Sequence, residues 1–305
     1  MKKLMYVLSF VVLVSILLAA SWPCAAALNV FACEPEWGAL ARELGGDKVT
    51  VYTATTALQD VHRIEARPSL IARARSADLV VCTGAELEVG WLPLVQTQSG
   101  NARIQSGQPG YFEAADFVAL IEKPARLDRS LGDIHAAGNP HLHLDPRNVA
   151  EVAAGLGERM AALDSANGKF FDDRTRSFLQ RWREAVGRWE KQAAPLKDLP
   201  VVVHHRDFTY LIAWLGMREV GSLEPKPGLP PSTASLAELL AKLKATPAKA
   251  VLRAAYNDPR PSEWLAQRTR IPAVMLPYTV GGSDGAKDLF GLYDDTLARL
   301  LAVTR

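Results

Sequence analysis

The stretch "LPVVVHHRDFTYLIAWLGM", residues 199–217, decides the fold. Its opening run of β-branched residues after Pro200 reads as a short buried strand, and "FTYLIAWLGM" has the length and spacing of a helix. His204 and His205 stand where the strand ends, with neighbouring strand residues facing opposite sides. A strand that feeds a helix predicts a parallel sheet with helices on its faces.

The same rhythm continues downstream through a helix capped by Ser232 ("SLAELLAKLKA"), a strand ("KAVLRAAY"), a helix ("SEWLAQRT"), a strand ("PAVMLPYT") and a last helix over 292–303. Upstream it runs "LNVFACE", a helix over 37–44, "KVTVYTAT", a helix across "PSLIARARSA" and "DLVVCTG". Residues 96–110 are polar and glycine-rich and predict a loop or a hairpin. Between the two halves, apolar positions at helical spacing predict helices over 148–163 and 170–191; in the second, Phe171, Phe178, Leu179, Trp182, Val186 and Trp189 form one packing stripe. The expected architecture is α/β: an N-terminal lobe over 28–165, a long rigid linker helix within 166–196 and a C-terminal lobe over 197–305, each lobe a parallel-rich sheet flanked by helices.

Residues 1–27 read as a secretory signal. Lys2 and Lys3 precede an apolar run from Leu4 to Ala20, and Ala25, Ala26 and Ala27 supply a small-residue cleavage site near Ala27. Export to the periplasm follows; Trp22 and Pro23 before Cys24 argue against a lipid-attachment site. The chain carries 35 basic and 33 acidic side chains, and loss of Lys2 and Lys3 leaves the two in balance, so no nucleic-acid partner is expected. In an oxidising compartment Cys33 and Cys82, each near a strand end, are either a disulfide or two buried thiols.

Ligands in open parallel sheets bind beyond the carboxyl ends of the strands. That rule selects His62, in the loop after "KVTVYTAT", His205, after "LPVVV", and Asp284, in "VGGSDGAKD" after "PAVMLPYT". His141, in "GNPHLHLDP", closes the first half. Three imidazoles and one carboxylate suit a tetrahedral Zn²⁺ site. His141 and His143 are two residues apart, which in a strand would aim both at one metal, yet Pro140 and Pro146 limit regular pairing there.

Taken together, "DVHRIEARPS", "NPHLHLDP", "VVVHHRDFTYLIAWLG" and "SDGAKDLFGLYDD" resemble, in the same order, the ZnuA/TroA-like metal-binding solute receptors of bacterial ABC importers. The resemblance implies a two-lobed receptor, not an enzyme, that captures Zn²⁺ in the inter-lobe cleft as a monomer and delivers it to a membrane permease, with a periplasmic metallochaperone as a further partner. It assigns the metal to His62, His141, His205 and Asp284, with Asp288 and Asp294 as substitutes for the last. Val61 stands for the family's proline, Asn139 for an aspartate, and His143 for a tryptophan that packs or hydrogen-bonds near the cleft. A histidine at 205, where manganese receptors carry glutamate, points to zinc. Only His135 stands in "RSLGDIHAAGNP", so the chain looks closest to the AztC-type zinc receptors, which lack a long His-rich loop. His135 is a candidate secondary contact, and Glu65 and Glu224 are candidate acceptors orienting an imidazole. The alternatives are a manganese receptor of the same family, a zinc hydrolase, disfavoured by a fourth protein ligand and the lack of an H-E-x-x-H segment, and an adhesin on the same fold.

Overall fold

The computed structural model describes residues 27–125, 132 and 135–304; residues 1–26 of the expected leader lie outside them. Two four-stranded sheets, all parallel, form the frame. In the first, β1 (Leu28–Ala32), β2 (Val49–Thr53), β3 (Leu79–Cys82) and β4 (Tyr111–Glu113) lie in the order β2-β1-β3-β4. In the second, β5 (Pro200–Val203), β6 (Arg218–Ser222), β7 (Ala250–Ala254) and β8 (Ala273–Leu276) repeat it as β6-β5-β7-β8. Chain order reverses beside β1 and beside β5, so each sheet has a crevice at the carboxyl ends of its central strands.

The central strands follow from composition. "LVVC" in β3 buries all four residues, and "VVV" in β5 buries three in a row, as strands covered on both faces must. Helices α1 (Pro35–Gly45), α2 (Pro68–Arg75) and α3 (Leu92–Ser99) belong to the first half, and α4 (Pro146–Leu163) closes it. Proline at the first turn starts all four, where a missing N–H costs nothing. The second half carries α6 (Thr209–Leu215), α7 (Thr233–Ala245), α8 (Pro259–Thr269) and α9 (Leu289–Ala302). Ser232 caps α7 in a reciprocal box with Ser235, as its position suggested.

Helix α5 (Gly168–Gln192) spans 25 residues, about 37 Å at 1.5 Å per residue. Its stripe of Phe171, Phe178, Trp182 and Trp189 is fully buried, in one hydrophobic core that also takes in both sheets and α9. Trp189 stacks on Tyr293 with ring centroids 4.8 Å apart, and Trp182 meets Trp189 edge-on at 5.2 Å. Both indole N–H groups are satisfied, Trp182 by the Pro146 carbonyl at 2.8 Å and Trp189 by Asp294 at 2.6 Å. The lobes are therefore clamped to one helix. Further ties cross between them: the Tyr210 hydroxyl donates to the Asn139 carbonyl at 2.8 Å, that of Tyr293 donates to the His143 carbonyl, and that of Thr279 donates to Glu36.

Three local expectations needed correction. Residues 96–110 are neither plain loop nor hairpin: α3 runs to Ser99, Ala102–Ile104 makes a 3₁₀ turn, and the segment leads into β4. Its polarity misled because Gln96 is buried and donates to the Ile104 carbonyl at 2.7 Å, closing the turn from within. The short strands β4 and β6 were not anticipated, and the last helix begins at Leu289, three residues early, where Asp288 caps it by accepting from the Gly291 N–H. Cys33 and Cys82 are joined as a disulfide linking the ends of β1 and β3.

Candidate metal centre

The metal candidates are delivered by strand ends of both sheets. After β2 the chain turns through a 3₁₀ element, Val61–Arg63, in which Asp60 accepts the His62 backbone N–H at 3.0 Å. His205 follows β5 by two residues, ahead of the 3₁₀ turn Arg206–Phe208. His141 sits at the start of the 3₁₀ turn Leu142–Leu144, where Asn139 accepts its backbone N–H at 2.9 Å. Tyr278, two residues past β8, backs it from the second lobe.

These turns bring the three imidazoles together. One ligand atom from each of His62, His141 and His205 lies within 4.8 Å of the other two. Ring centroids are 5.6 Å apart for His62 and His141, and 5.9 Å for each of the other pairs. A point at the centre of such a triangle is at most about 2.8 Å from each nitrogen, so inward shifts under about 1 Å reach the 2.0–2.1 Å of a zinc–nitrogen bond. His141 and His205 are buried and His62 is half-buried, so the site is largely screened from water.

Each ring is held by its other nitrogen. Nδ1 of His62 donates to Asp60 at 2.8 Å and Nδ1 of His205 donates to Glu224 at 2.8 Å, which makes Nε2 of each ring the nitrogen that a cation could take. Nδ1 of His141 lies 2.7 Å from the Tyr278 hydroxyl, and its Nε2 is 3.8 Å from Oδ1 of Asp207. Burial, reinforced by the neighbouring histidines, pushes the His141 imidazole well below its usual range, so it stays neutral. Burial also opposes charge on His205, but Asp207, Glu224 and Asp60 outweigh it and raise that ring to about 9. Glu224 moves the other way: burial opposes its charge, yet hydrogen bonds from His204 and His205 pull it down to about 2. Asp60 is likewise held below the usual carboxylate range by His62, against the effect of burial.

The remaining candidates are placed as follows. Asp284 is exposed in the loop after β8 and is not brought to the three histidines; of its substitutes, Asp288 caps α9 and Asp294 accepts from Trp189. His143 is buried but turned aside: its Nε2 donates to the Tyr278 carbonyl at 2.9 Å and its Nδ1 is 3.2 Å from Glu36. His204 lies 3.6 Å from Glu224, which thus serves both histidines of the pair. Nε2 of His135 is 3.2 Å from Nε2 of His62, and Glu86 secures that segment by accepting from the Ala136 N–H at 2.7 Å. Glu65 is exposed. Sequence reasoning missed Asp60, Asp207 and Tyr278; the only available signal was spacing, an acid two residues before His62 and another two after His205.

Comparison with known proteins bears on the family and the fold. The family described as "Zinc-uptake complex component A periplasmic" matches residues 30–303. The manganese ABC transporter substrate-binding lipoprotein PsaA of Streptococcus mitis is 23% identical over 302 residues, covering 94% of this chain and 93% of that protein. The metal ABC transporter substrate-binding lipoprotein FimA of Streptococcus parasanguinis is 23% identical over 248 residues, 79% of this chain and 76% of that one. Among solved structures, a cadmium-bound periplasmic metal binding protein from candidatus liberibacter asiaticus superposes with a TM-score of 0.74 at 17% identity, covering 91% of this chain and all of that one. A crystal structure of ZnuA gives 0.72 at 18% identity, with 91% and 99% covered.

Proposed function

We propose that this chain, which belongs to the zinc-uptake complex component A family, captures a divalent cation at His62, His141 and His205 and hands it to the membrane permease of an ABC importer, with zinc as the preferred ion. Its family consists of substrate-binding receptors of ABC transporters rather than enzymes. Among the described residues no helix is long and apolar enough to cross a membrane. The proposed receptor works in the periplasm as a monomer, with the permease and a metallochaperone as its partners.

The observation that carries the reading is the convergence of three imidazole nitrogens within 4.8 Å, two of them oriented by a carboxylate on the far ring nitrogen. Imidazole is a borderline ligand that suits Zn²⁺ better than the oxygen-preferring Mn²⁺, and one carboxylate added to three histidines keeps that balance. For the fourth donor, Asp284 would have to swing in with its loop.

A second reading, a manganese receptor, is favoured by the names of PsaA relatives. Chelator competition with each metal separates the two. The expected result is one zinc per chain, held at least a hundredfold more tightly than manganese, with the zinc affinity lost in His141→Ala. Zinc affinity unchanged in that variant would sink the site, and tighter manganese binding by the wild type would select the second reading.

A further inference from the structure

The crevice of the first sheet, between the ends of β1 and β3, holds a second group of metal-type donors. Cys33 follows β1 directly and Cys82 ends β3, and one donor atom from each of Cys33, Cys82 and Glu88 lies within 4.8 Å of the other two. All three residues are buried. None belongs to the histidine centre, and the disulfide keeps both sulfurs from acting as thiolate ligands.

The surroundings of these sulfurs are more polar than a cross-link requires. Glu88 accepts the Thr83 N–H at 2.7 Å and the Gly84 N–H at 3.1 Å, while Glu34, the residue after Cys33, accepts the Thr83 hydroxyl at 3.2 Å. Trp37 fixes that hydroxyl by donating to it at 2.8 Å. Glu34 has no exposed surface, and its Oε1 has no hydrogen-bond partner among the described residues. Two carboxyl groups buried beside a disulfide are costly unless a proton or a cation compensates them. In the oxidised chain protons do so: burial and the neighbouring Glu88 and Glu36 hold the Glu34 carboxyl well above its usual range, and burial lifts Glu88 to about 7. The backbone between the second cysteine and Glu88 is also strained. Gly84, Ala85 and Glu86 take left-handed conformations in succession, with φ of 77°, 52° and 66°, a geometry that non-glycine residues keep mainly where function requires it.

We propose that reduction of the Cys33–Cys82 disulfide opens a second metal site, in which both thiolates and the Glu88 carboxylate hold a thiophilic divalent cation, with Glu34 at the fourth corner. The site uses none of the three histidines and stands apart from the receptor reading. A dithiol reductant attacks one sulfur: the S–S bond breaks, two electrons pass to the cysteines, each sulfur gains a proton, and the reductant leaves as its own disulfide. The cation then displaces both thiol protons, and any proton on Glu88, to solvent. Two thiolates and one carboxylate leave a bound Zn²⁺ with a net charge of −1, the same as in a Cys₃His centre. Both sulfurs are fully buried, so the strained turn is the segment that yields to let the reductant in.

The test compares the chain, secreted by an expression host and purified from the periplasm, before and after treatment with a dithiol. Alkylation counts the freed thiols, circular dichroism follows the fold, and zinc per chain is measured on both forms. Cd²⁺ loading reports thiolate coordination through its ultraviolet sulfur-to-metal charge-transfer band. The oxidised wild type should show no band; the reduced wild type should show it and bind one additional zinc. His141→Ala, weakened at the histidine centre, should gain the same zinc on reduction. Glu88→Gln should weaken the added zinc about a hundredfold or more, beyond the range for a mere supporting group, and leave the zinc of the oxidised form unchanged. No added zinc and no band in a folded chain whose two thiols alkylate overturns the proposal, as does a disulfide that withstands the dithiol while the chain stays folded. Added zinc held equally well by Glu88→Gln removes the carboxylate from the donor set and overturns the proposal as stated. Failure of the oxidised wild type to bind zinc or manganese would refute the receptor reading instead, while the gain on reduction still decides this one.

Discussion

With His205 a ligand as proposed, metal capture should expel a proton from it, and the amount can be worked from the site. Burial disfavours the imidazolium, but the carboxylates of Asp207, Glu224 and Asp60 raise its pKa to about 9, so the metal-free ring is about 97% protonated at pH 7.5. A metal needs the lone pair of Nε2, because Nδ1 is committed to Glu224. Binding should therefore release about one proton from this residue at pH 7.5, and apparent affinity should fall about tenfold per pH unit below 9, or about 20-fold between pH 8.5 and 7.0. His141 adds nothing to this slope, since burial already keeps it neutral. The sign for folding is opposite. A pKa raised from the usual 6.5 to about 9 stabilises the metal-free fold fully below pH 6.5, and that contribution, at most about 3.4 kcal/mol, is lost as the pH rises through 9. Calorimetric titration with zinc in two buffers of different ionisation enthalpy counts the protons. Glu224→Gln should release well under one, because the strongest hydrogen bond to the imidazolium is gone. A flat affinity profile from pH 7.0 to 8.5 in the wild type, or release below about half a proton, would refute the reasoning.

Two further outcomes are expected. Tyr278→Phe removes the hydroxyl 2.7 Å from His141 Nδ1 and should weaken zinc about tenfold by loosening that ring, with melting little changed, as measured by chelator competition and calorimetry. Reduction of the Cys33–Cys82 disulfide, which closes a loop of 49 residues, should cost about 4 kcal/mol in denaturant titration, and an unchanged midpoint would show that the link adds no stability.

Much of this was legible before the structure. The periodicity of "LPVVVHHRDFTYLIAWLGM" and its counterparts reports strands and helices because burial on both faces demands unbroken apolar runs in β3 and β5, and a long stripe of aromatics demands a partner surface for α5. The convergence of His62 and His205 was legible because parallel sheets put the loops after their strands at one edge, and His141 because its segment closes the first half. Asp207 was not. An acid two residues beyond a strand end reads as a solvated turn residue, and only the 3₁₀ turn and the Tyr256 hydroxyl show that it folds inward. Tyr278 was equally silent, since its contact with His141 spans 137 residues. Asp284 illustrates the reverse: its loop stands in the right place along the chain, while its side chain faces solvent.

The single core that runs through both lobes and α5 bears on how cargo leaves. Swinging the lobes apart would expose Trp182, Trp189 and Tyr293 and break the ties of Tyr210, Tyr293 and Thr279, each crossing from one half of the chain to the other. At about 25 cal/mol for each Å² of apolar surface, uncovering three such rings costs more than a marginally stable fold can spare. At the proposed site the ligands would then detach in sequence, and burial sets the ranking: His62, half-buried on a one-turn segment, would leave before His141 or His205. The residence time of the ion would thus be set by the turn around residues 60–63, and a permease that displaced this turn could unload the receptor without unfolding any of its frame.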